Sequence, residues 1–279
     1  MMIGKRLLLA GAGALALAAC GNSDEPSQDQ LAADAESHAA DETGHDQSAD
    51  EEGFIAAAVN SDQRPEADRE ADANRHPATA LAFFGVEPGM TVFEIEAGPG
   101  YYTELLSLAV GEGGAVIMQN PQGFRDFAGD QIDARLADGR LANVTESISE
   151  FDVFDVADGS IDLATWVQGP HEVYFVPDGA TPMEDPSKPY AEIYRILKPG
   201  AAFVTIDHVN APDASIETGG ELHRIHASHV IEMAQGAGFV LEAESDFLAN
   251  PEDDHQSLPW SEGIRGRTDQ FALRFRKPE

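Results

Sequence analysis

Side chains that can move a proton follow two apolar runs of this chain. His171 comes after the run Ile161–Val167, and the pair Asp207-His208 comes after an apolar run over residues 202–206. An imidazole has a pKa near neutrality, so it can accept a proton from a reacting group at physiological pH. The sequence therefore predicts His171, His208 and the adjacent Asp207 as catalytic candidates, with a structural hydrogen-bonding role as the alternative for each histidine.

A glycine-rich turn marks a second candidate site. The β-branched and apolar segment Thr91–Ile95 is followed by Gly98-Pro99-Gly100 and then by Tyr101–Val110, in which Leu105, Leu106 and Ala109 share one helical face. Because glycine has no Cβ atom, the backbone of such a turn can approach a ligand closely. The order strand, glycine turn, helix fits a small-molecule site, with a tight strand-to-helix connection that binds no ligand as the alternative.

The elements that must position these residues alternate along the chain. Residues 64–84 predict one or two helices interrupted at His76-Pro77, and later apolar stripes at helical spacing begin at Tyr190 and Val230. Predicted strands cover residues 91–95, 115–118, 141–144, 161–167, 202–206, 239–241 and 271–275. The sequence thus predicts an α/β fold with a doubly wound, mostly parallel, seven-stranded sheet. Ligands of such sheets bind beyond the carboxyl ends of the strands.

The glycine turn and two later segments resemble a known family of transferases. Residues 94–100, Glu-Ile-Glu-Ala-Gly-Pro-Gly, resemble the first motif of class I S-adenosylmethionine-dependent methyltransferases, in which an acidic residue precedes a glycine-rich turn. Residues 158–163 and 196–200 are similar to segments that precede the fourth and fifth strands of that family. The resemblance implies a Rossmann-like methyltransferase fold, S-adenosyl-L-methionine as cofactor and methyl transfer to a small-molecule substrate.

Shorter segments are similar to a narrower group, the predicted exported bacterial methyltransferases. These segments are residues 75–77, 100–104, 207–208, 222–224, 253–255 and 265–269. This similarity implies a methyltransferase that works outside the cytoplasm.

The resemblance assigns cofactor contacts to particular residues. Glu94 would lie near the ammonium group of the cofactor, and Gly98, Pro99 and Gly100 would pass beneath its amino-acid tail. Glu150 occupies the acidic position that accepts a hydrogen bond from the adenine amine, with a solvated loop carboxylate as the alternative.

Two positions depart from the family pattern. Gln119-Asn120 stand where the family has an Asp or Glu that binds both ribose hydroxyls, and neutral amides bind hydroxyls less strongly than a charged acceptor does. Glu96 stands where many relatives have glycine or a small residue. We expect Gln119 and Asn120 to contact the ribose, at a cost in cofactor affinity.

Composition excludes several classes of function. The net charge is −33, from 17 basic and 50 acidic residues, so the chain lacks the basic surface that nucleic-acid binding needs. A single cysteine, Cys20, leaves no thiol pair for a disulfide or a zinc thiolate site. His223, His226 and His229 recur at three-residue spacing, but without a His-Glu-x-x-His pattern we predict no bound metal.

The N-terminal segment predicts export and a lipid anchor. Lys5 and Arg6 precede an apolar stretch too short to span a bilayer, and Leu17-Ala18-Ala19-Cys20 resembles the lipobox of bacterial lipoproteins. We therefore divide the chain into a signal peptide over residues 1–20, an acidic disordered tether over 21–53 and a methyltransferase-like domain over 54–279. Lipidated at Cys20, the protein would be membrane-anchored in the cell envelope and face the periplasm.

Export leaves one alternative function open. S-adenosylmethionine is made in the cytoplasm, and a polar, charged molecule does not cross a bilayer freely. A non-catalytic envelope lipoprotein that uses the same fold to bind a small molecule or a protein partner would account for the export and for the altered residues Glu96, Gln119 and Asn120.

The lipid anchor is tested by removing its attachment site. We expect Cys20→Ser to move the protein from the membrane fraction to the soluble fraction, because a serine carries no thioether-linked lipid. Fractionation of cells followed by immunoblotting measures this. Membrane association that is unchanged in C20S would contradict the anchor.

Overall fold

A computed structural model describes residues 47–279 apart from residues 178, 180 and 217, with side chains described from Gly53 onward. The predicted signal peptide, the lipidation site Cys20 and residues 21–46 of the predicted tether lie outside the described residues. No helix in the described part of the chain combines the length and the apolar character needed to cross a membrane.

One seven-stranded sheet organises the described residues, in the order β3-β2-β1-β4-β5-β7-β6. The strands are β1 Thr91–Ile95, β2 Ala115–Asn120, β3 Val144–Ile148, β4 Ile161–Val167, β5 Leu197–His208, β6 Val240–Ser245 and β7 Gln270–Arg276. Strands β1 to β5 pair in parallel, and β7 runs antiparallel to both β5 and β6. The predicted α/β class and the mostly parallel sheet are confirmed.

Helices cover both faces of this sheet. They are α1 Gln47–Val59, α2 Glu66–Arg75, α3 Pro77–Phe84, α4 Tyr101–Val110, α5 Gln122–Leu136, α6 Lys188–Ile196, α7 Thr218–Leu222 and α8 Ala227–Gly236. Alternate residues of β1 enter two different cores, since Val92 packs with the helices α3 and α4 whereas Phe93 and Ile95 pack on the opposite face. Because the central strands are buried on both faces, their sequences are continuous runs of mostly apolar residues.

Several elements differ from the sequence-based prediction. Strand β5 is longer than predicted, Leu197–His208 and not 202–206, and β6 is Val240–Ser245 and not 239–241. The third strand is residues 144–148, not 141–144, because this edge strand is only half buried and its sequence, Val-Thr-Glu-Ser-Ile, is largely polar. Helix α5 was not predicted. Helix α1 begins at Gln47, so the last seven residues of the predicted disordered tether, 47–53, are helical. That helix is held by Ile55 and Ala58, which pack in the core with α3 and α4.

A buried ion pair fixes the loop that follows β6. The guanidinium of Arg224 and the carboxylate of Asp253 are both fully buried and bond through two nitrogens, at 2.8 and 3.0 Å. Arg224 also donates to the backbone oxygens of Val209 and Ser257. Four of the five guanidinium N–H donors are thus bonded within the fold, which favours a structural role for this fully buried arginine over a role in binding an anionic substrate.

Removing this arginine should destabilise the protein strongly. We expect Arg224→Ala to lower the free energy of unfolding by about 3–5 kcal/mol, because Asp253 would remain buried without its partner. Urea unfolding followed by circular dichroism measures the change. The control is Arg69→Ala, whose pair with Asp62 is exposed at 3.7 Å and should change stability by less than about 1 kcal/mol. Equal effects of R224A and R69A would contradict the structural role.

Candidate active site

A cavity of about 370 Å³ opens beyond the carboxyl ends of β4 and β5. Tyr102 of the first turn of α4, Gln168 after β4 and His208 at the end of β5 contribute to its walls. Its other walls include His171, Trp260 and Arg265. Parallel strands end at one edge of the sheet, so residues that are far apart in the sequence meet there, as expected for an open α/β sheet.

Asp207 connects the two predicted catalytic histidines. Its side chain is fully buried at the end of β5. One carboxylate oxygen lies 2.8 Å from Nδ1 of His171 and accepts from the backbone N–H of His208 at 2.7 Å, while the other accepts from the backbone N–H of His171 at 2.9 Å. The structure therefore brings His171, Asp207 and His208 together, as the sequence indicated; their catalytic roles stay predictions.

The surroundings of His171 stabilise the protonated form of its ring. Burial alone would lower its pKa, but Asp207 and Glu172 raise the pKa of His171 to about 10. Likewise, although burial opposes its ionisation, hydrogen bonds with His171 and His223 lower the pKa of Glu172 to about 2. The two neighbouring carboxylates therefore favour the protonated form of His171, and its role as a base stays a prediction.

His208 differs from His171 because no acid stabilises its charged form as strongly. Burial lowers the pKa of His208 to about 3, so the ring is neutral. Its Nδ1 lies 2.7 Å from Oγ1 of Thr268. Among the described residues no hydrogen bond involves Nε2, and the side chain lines the cavity. Of the two predicted bases, His208 is the one in the deprotonated state.

The glycine turn has the backbone conformation that the sequence indicated. Gly98 and Gly100 adopt positive φ angles of 59° and 89°. Side chains of α5 already lie against them: a Cβ added at Gly98 would be 3.5 Å from the ring of Phe124, and one at Gly100 would be 2.8 Å from Cδ of Arg135. Arg135 also donates to the carbonyl of Pro99 at 2.6 Å. The turn is therefore packed against protein on that side.

The two amides that replace the acidic ribose position point into the protein. Gln119 accepts from the backbone N–H of Glu96 at 2.9 Å and donates to the carbonyl of Ser149 at 2.6 Å. Asn120 accepts from the backbone N–H of Gly98 at 2.8 Å. Both side chains are fully buried. These hydrogen bonds connect the ends of β1, β2 and β3. Neither amide side chain is exposed to a ligand in the structure.

Glu96 turns its carboxylate toward the end of β4. Its φ of 50° is the left-handed conformation that suits the glycine of related turns. Oε2 accepts from the indole N–H of Trp166 at 3.0 Å. Burial, together with the nearby charge of Glu172, raises the pKa of Glu96 well above its usual value. The side chain occupies the gap between the ends of β1 and β4.

The two remaining cofactor candidates have contrasting surroundings. Glu94 is buried and accepts from Oγ1 of Thr103 at 2.5 Å, and burial raises its pKa to about 8. Glu150 is exposed and follows β3, which is the position that the resemblance assigns to it. Only the second carboxylate is in contact with solvent.

Sequence reasoning missed Glu172 and His223. Their side chains meet His171, although His223 lies 51 residues after Glu172. The three histidines with three-residue spacing, His223, His226 and His229, do not share a helix, since α8 begins at Ala227 and only His229 lies on it. His226 bonds to the carbonyl of Ala214 and His229 to the hydroxyl of Tyr174. No signal in the sequence separated His223 from its two neighbours.

The buried carboxyl of Glu94 makes stability depend on pH. Its folded pKa of about 8 exceeds the ordinary value of 4.5, so its stabilising protonation is complete below pH 4.5 and is lost as the pH rises through 8. We expect Glu94→Gln to melt at a higher temperature than the wild type at pH 8, with the advantage shrinking toward pH 5. The gain is at most about 1.4 kcal/mol per pH unit between the two pKa values.

Calorimetric melting curves over this pH range measure the difference, with the exposed Glu150→Gln as the matched control. A melting-temperature difference between E94Q and the wild type that does not change with pH would show that Glu94 is ionised in the folded protein.

Comparison with known proteins yields one relative among characterised sequences. No protein-family model matches the chain. The chain is 22% identical over 195 residues to the ubiquinone/menaquinone biosynthesis C-methyltransferase UbiE of Hydrogenovibrio crunogenus, a match that covers 70% of this chain. The match spans 66% of the length of that relative.

Solved structures resemble the protein over a larger share of its length. A SAM-dependent methyltransferase from Aquifex aeolicus has a TM-score of 0.54 at 19% identity, covering 81% of this chain and 98% of that one. A putative methyltransferase of Haloferax volcanii, in complex with the activator Trm112, has a TM-score of 0.52 at 20% identity, with the same coverage. Its sheet topology and these similarities show that the chain has the fold of S-adenosylmethionine-dependent methyltransferases.

Proposed function

We propose that this protein is a methyltransferase that transfers a methyl group from S-adenosyl-L-methionine to a small acceptor bound in the cavity at the ends of β4 and β5. The observation that carries the proposal is the position of this cavity. It adjoins α4, the helix that follows the glycine turn, and it is lined by Tyr102, Gln168 and His208. Those are the strand ends at which proteins with this kind of sheet bind their ligands.

The residues around the cavity fit the amino-acid end of the cofactor. Arg75 lines the cavity and lies 4.4 Å from the centre of the Tyr101 ring, and no hydrogen bond to a carboxylate holds it among the described residues. A guanidinium of this kind suits a carboxylate group, and Gln168 and Tyr102 offer further polar atoms. At the ribose end, Gln119 and Asn120 fit only after exchanging their backbone partners for hydroxyl groups.

The cofactor supplies a methyl group that is already activated on a sulfonium sulfur, so the protein must orient the acceptor and accept its proton. His208 presents Nε2 to the cavity, and with the proton on Nδ1 toward Thr268 this atom has a free lone pair. Arg265 also lines the cavity, and no side-chain hydrogen bond or ion pair holds it among the described residues. In a chain of net charge −33, such an arginine favours an acceptor with an anionic group.

The place of action is part of the same proposal. The lipobox-like sequence ending at Cys20 and the similarity to exported bacterial methyltransferases support a lipid-anchored enzyme of the cell envelope. The strongly negative charge supports a small-molecule acceptor and not a nucleic acid.

Cofactor binding is the decisive experiment. Isothermal titration calorimetry of the full-length protein with S-adenosylmethionine should show binding to one site. We expect Glu96→Gly to bind more tightly, because it removes the side chain between β1 and β4 at a position whose φ of 50° suits glycine. The control is Glu112→Gln, an exposed glutamate after α4, which should bind as the wild type does.

Two results would contradict the proposal. If neither the wild type nor E96G releases heat with the cofactor, the fold serves as a non-catalytic binding protein of the envelope. Binding that is weaker in E96G than in E112Q would show that Glu96 itself contacts the cofactor, against its assignment as an obstruction.

A further inference from the structure

Three side chains at the edge of the cavity bring one ligand atom each to a common point. Nε2 of His171 lies 3.0 Å from Oε1 of Glu172 and 3.1 Å from Nδ1 of His223. Nδ1 of His223 lies 2.8 Å from the same Oε1. The three atoms form a nearly equilateral triangle, here named the His-Glu-His cluster.

The size of this triangle matches one face of a metal coordination shell. Ligand atoms at 2.0–2.2 Å from an ion and at right angles to each other are roughly 2.8–3.1 Å apart, whereas tetrahedral angles separate them by roughly 3.3–3.6 Å. The observed separations are 2.8, 3.0 and 3.1 Å. Two histidines and one carboxylate on one face of an octahedron form a known arrangement for divalent transition metals.

The orientation of His171 supports metal coordination. Its Nδ1 lies 2.8 Å from the buried carboxylate of Asp207, which also accepts from the backbone N–H groups of His171 and His208. A carboxylate on the far nitrogen of a histidine sets the tautomer of the ring and leaves the near nitrogen as the ligand. Nε2, the near nitrogen, is the atom that belongs to the His-Glu-His cluster.

The fold positions His223 at a cost in backbone strain. This residue has a φ of 52°, a left-handed conformation that only a few per cent of residues other than glycine adopt, although histidine adopts it more often than most. Its ring lies between Phe175 and Trp260, with centroid distances of 5.0 and 4.7 Å. Close packing of α7 makes this possible, since a Cβ on Gly220 would lie 2.0 Å from the carbonyl of Tyr174. Strain of this kind is concentrated at functional sites.

We propose that His171, Glu172 and His223 bind one divalent first-row transition-metal ion through Nε2, Oε1 and Nδ1. The remaining coordination positions face the cavity, where all three residues form part of the wall. They are open to water or to an oxygen atom of a small molecule. Two nitrogen donors favour a transition metal over Mg²⁺ and Ca²⁺, which prefer oxygen ligands. The proposal does not depend on methyl transfer.

Cobalt(II) is the probe, because its visible absorption reports nitrogen ligands directly. The full-length protein is stripped with a chelator and titrated with Co²⁺. We expect one equivalent to produce a visible band that is shifted and stronger than that of hydrated Co²⁺, that Zn²⁺ abolishes and that a large excess of Mg²⁺ leaves in place. The ion should also raise the melting temperature, since it binds the folded state.

The variants are matched in backbone conformation. His223→Asn removes one ligand at a φ of 52°, and His255→Asn, the control, removes a histidine outside the cluster at a φ of 56°. Asparagine tolerates this conformation, so both variants should fold. We expect H223N, and the isosteric Glu172→Gln, to weaken Co²⁺ affinity by at least about 100-fold, because loss of even an outer partner of a metal ligand costs 10- to 100-fold. H255N should bind as the wild type does.

Three outcomes would overturn the proposal. The first is that H223N and H255N bind Co²⁺ with equal affinity. The second is that Mg²⁺ displaces Co²⁺ at similar concentrations. The third is that one equivalent of Co²⁺ gives only the spectrum of the hydrated ion. The first two would assign the bound ion to the acidic surface. Circular dichroism of each variant before titration shows that the comparison is made between folded proteins.

Discussion

The buried carboxylate of Asp207 is the interaction on which the arrangement of the site depends. A carboxylate without solvent is costly unless hydrogen bonds compensate it, and here the compensating donors come from His171 and from the backbone of His208. The segment that contains His171 and Glu172 is therefore held at the end of β5. The position of the cavity wall and the approach of His223 to His171 both follow from this anchoring.

The glycine turn shows how a common fold can be altered at its ligand site. The backbone keeps the positive φ angles at Gly98 and Gly100, yet the neighbouring side chains bond to each other. Gln119 links the end of β1 to the segment after β3, and Glu96 links β1 to β4. A carboxylate at position 119 could not donate to the carbonyl of Ser149, so the amide there serves the internal connection. The polar side chains that line the cavity lie instead at the ends of β4 and β5, among them Gln168 and His208.

The central strands could be predicted because a strand that is buried on both faces has a continuous run of apolar residues. Strand β4 is covered on both faces and reads as an apolar run, and the interruption at His76-Pro77 separates α2 from α3 as expected. Edge strand β3 has no such apolar run, since part of it is exposed to solvent. His171 was found because it follows β4, and Asp207 and His208 because they end β5. Glu172 and His223 were not found, because their contact joins distant segments.

The fold class followed from the sequence alone, because apolar periodicity needs no coordinates. The single cysteine, Cys20, likewise leaves no second thiol for a disulfide, since a cysteine count needs only the sequence. Only the tertiary structure decided which polar side chains face a ligand and which bond to the protein. An amide or a carboxylate takes either role according to the donors that other strands bring near it. The inward bonds of Gln119, and the meeting of His171, Glu172 and His223, are consequences of that packing.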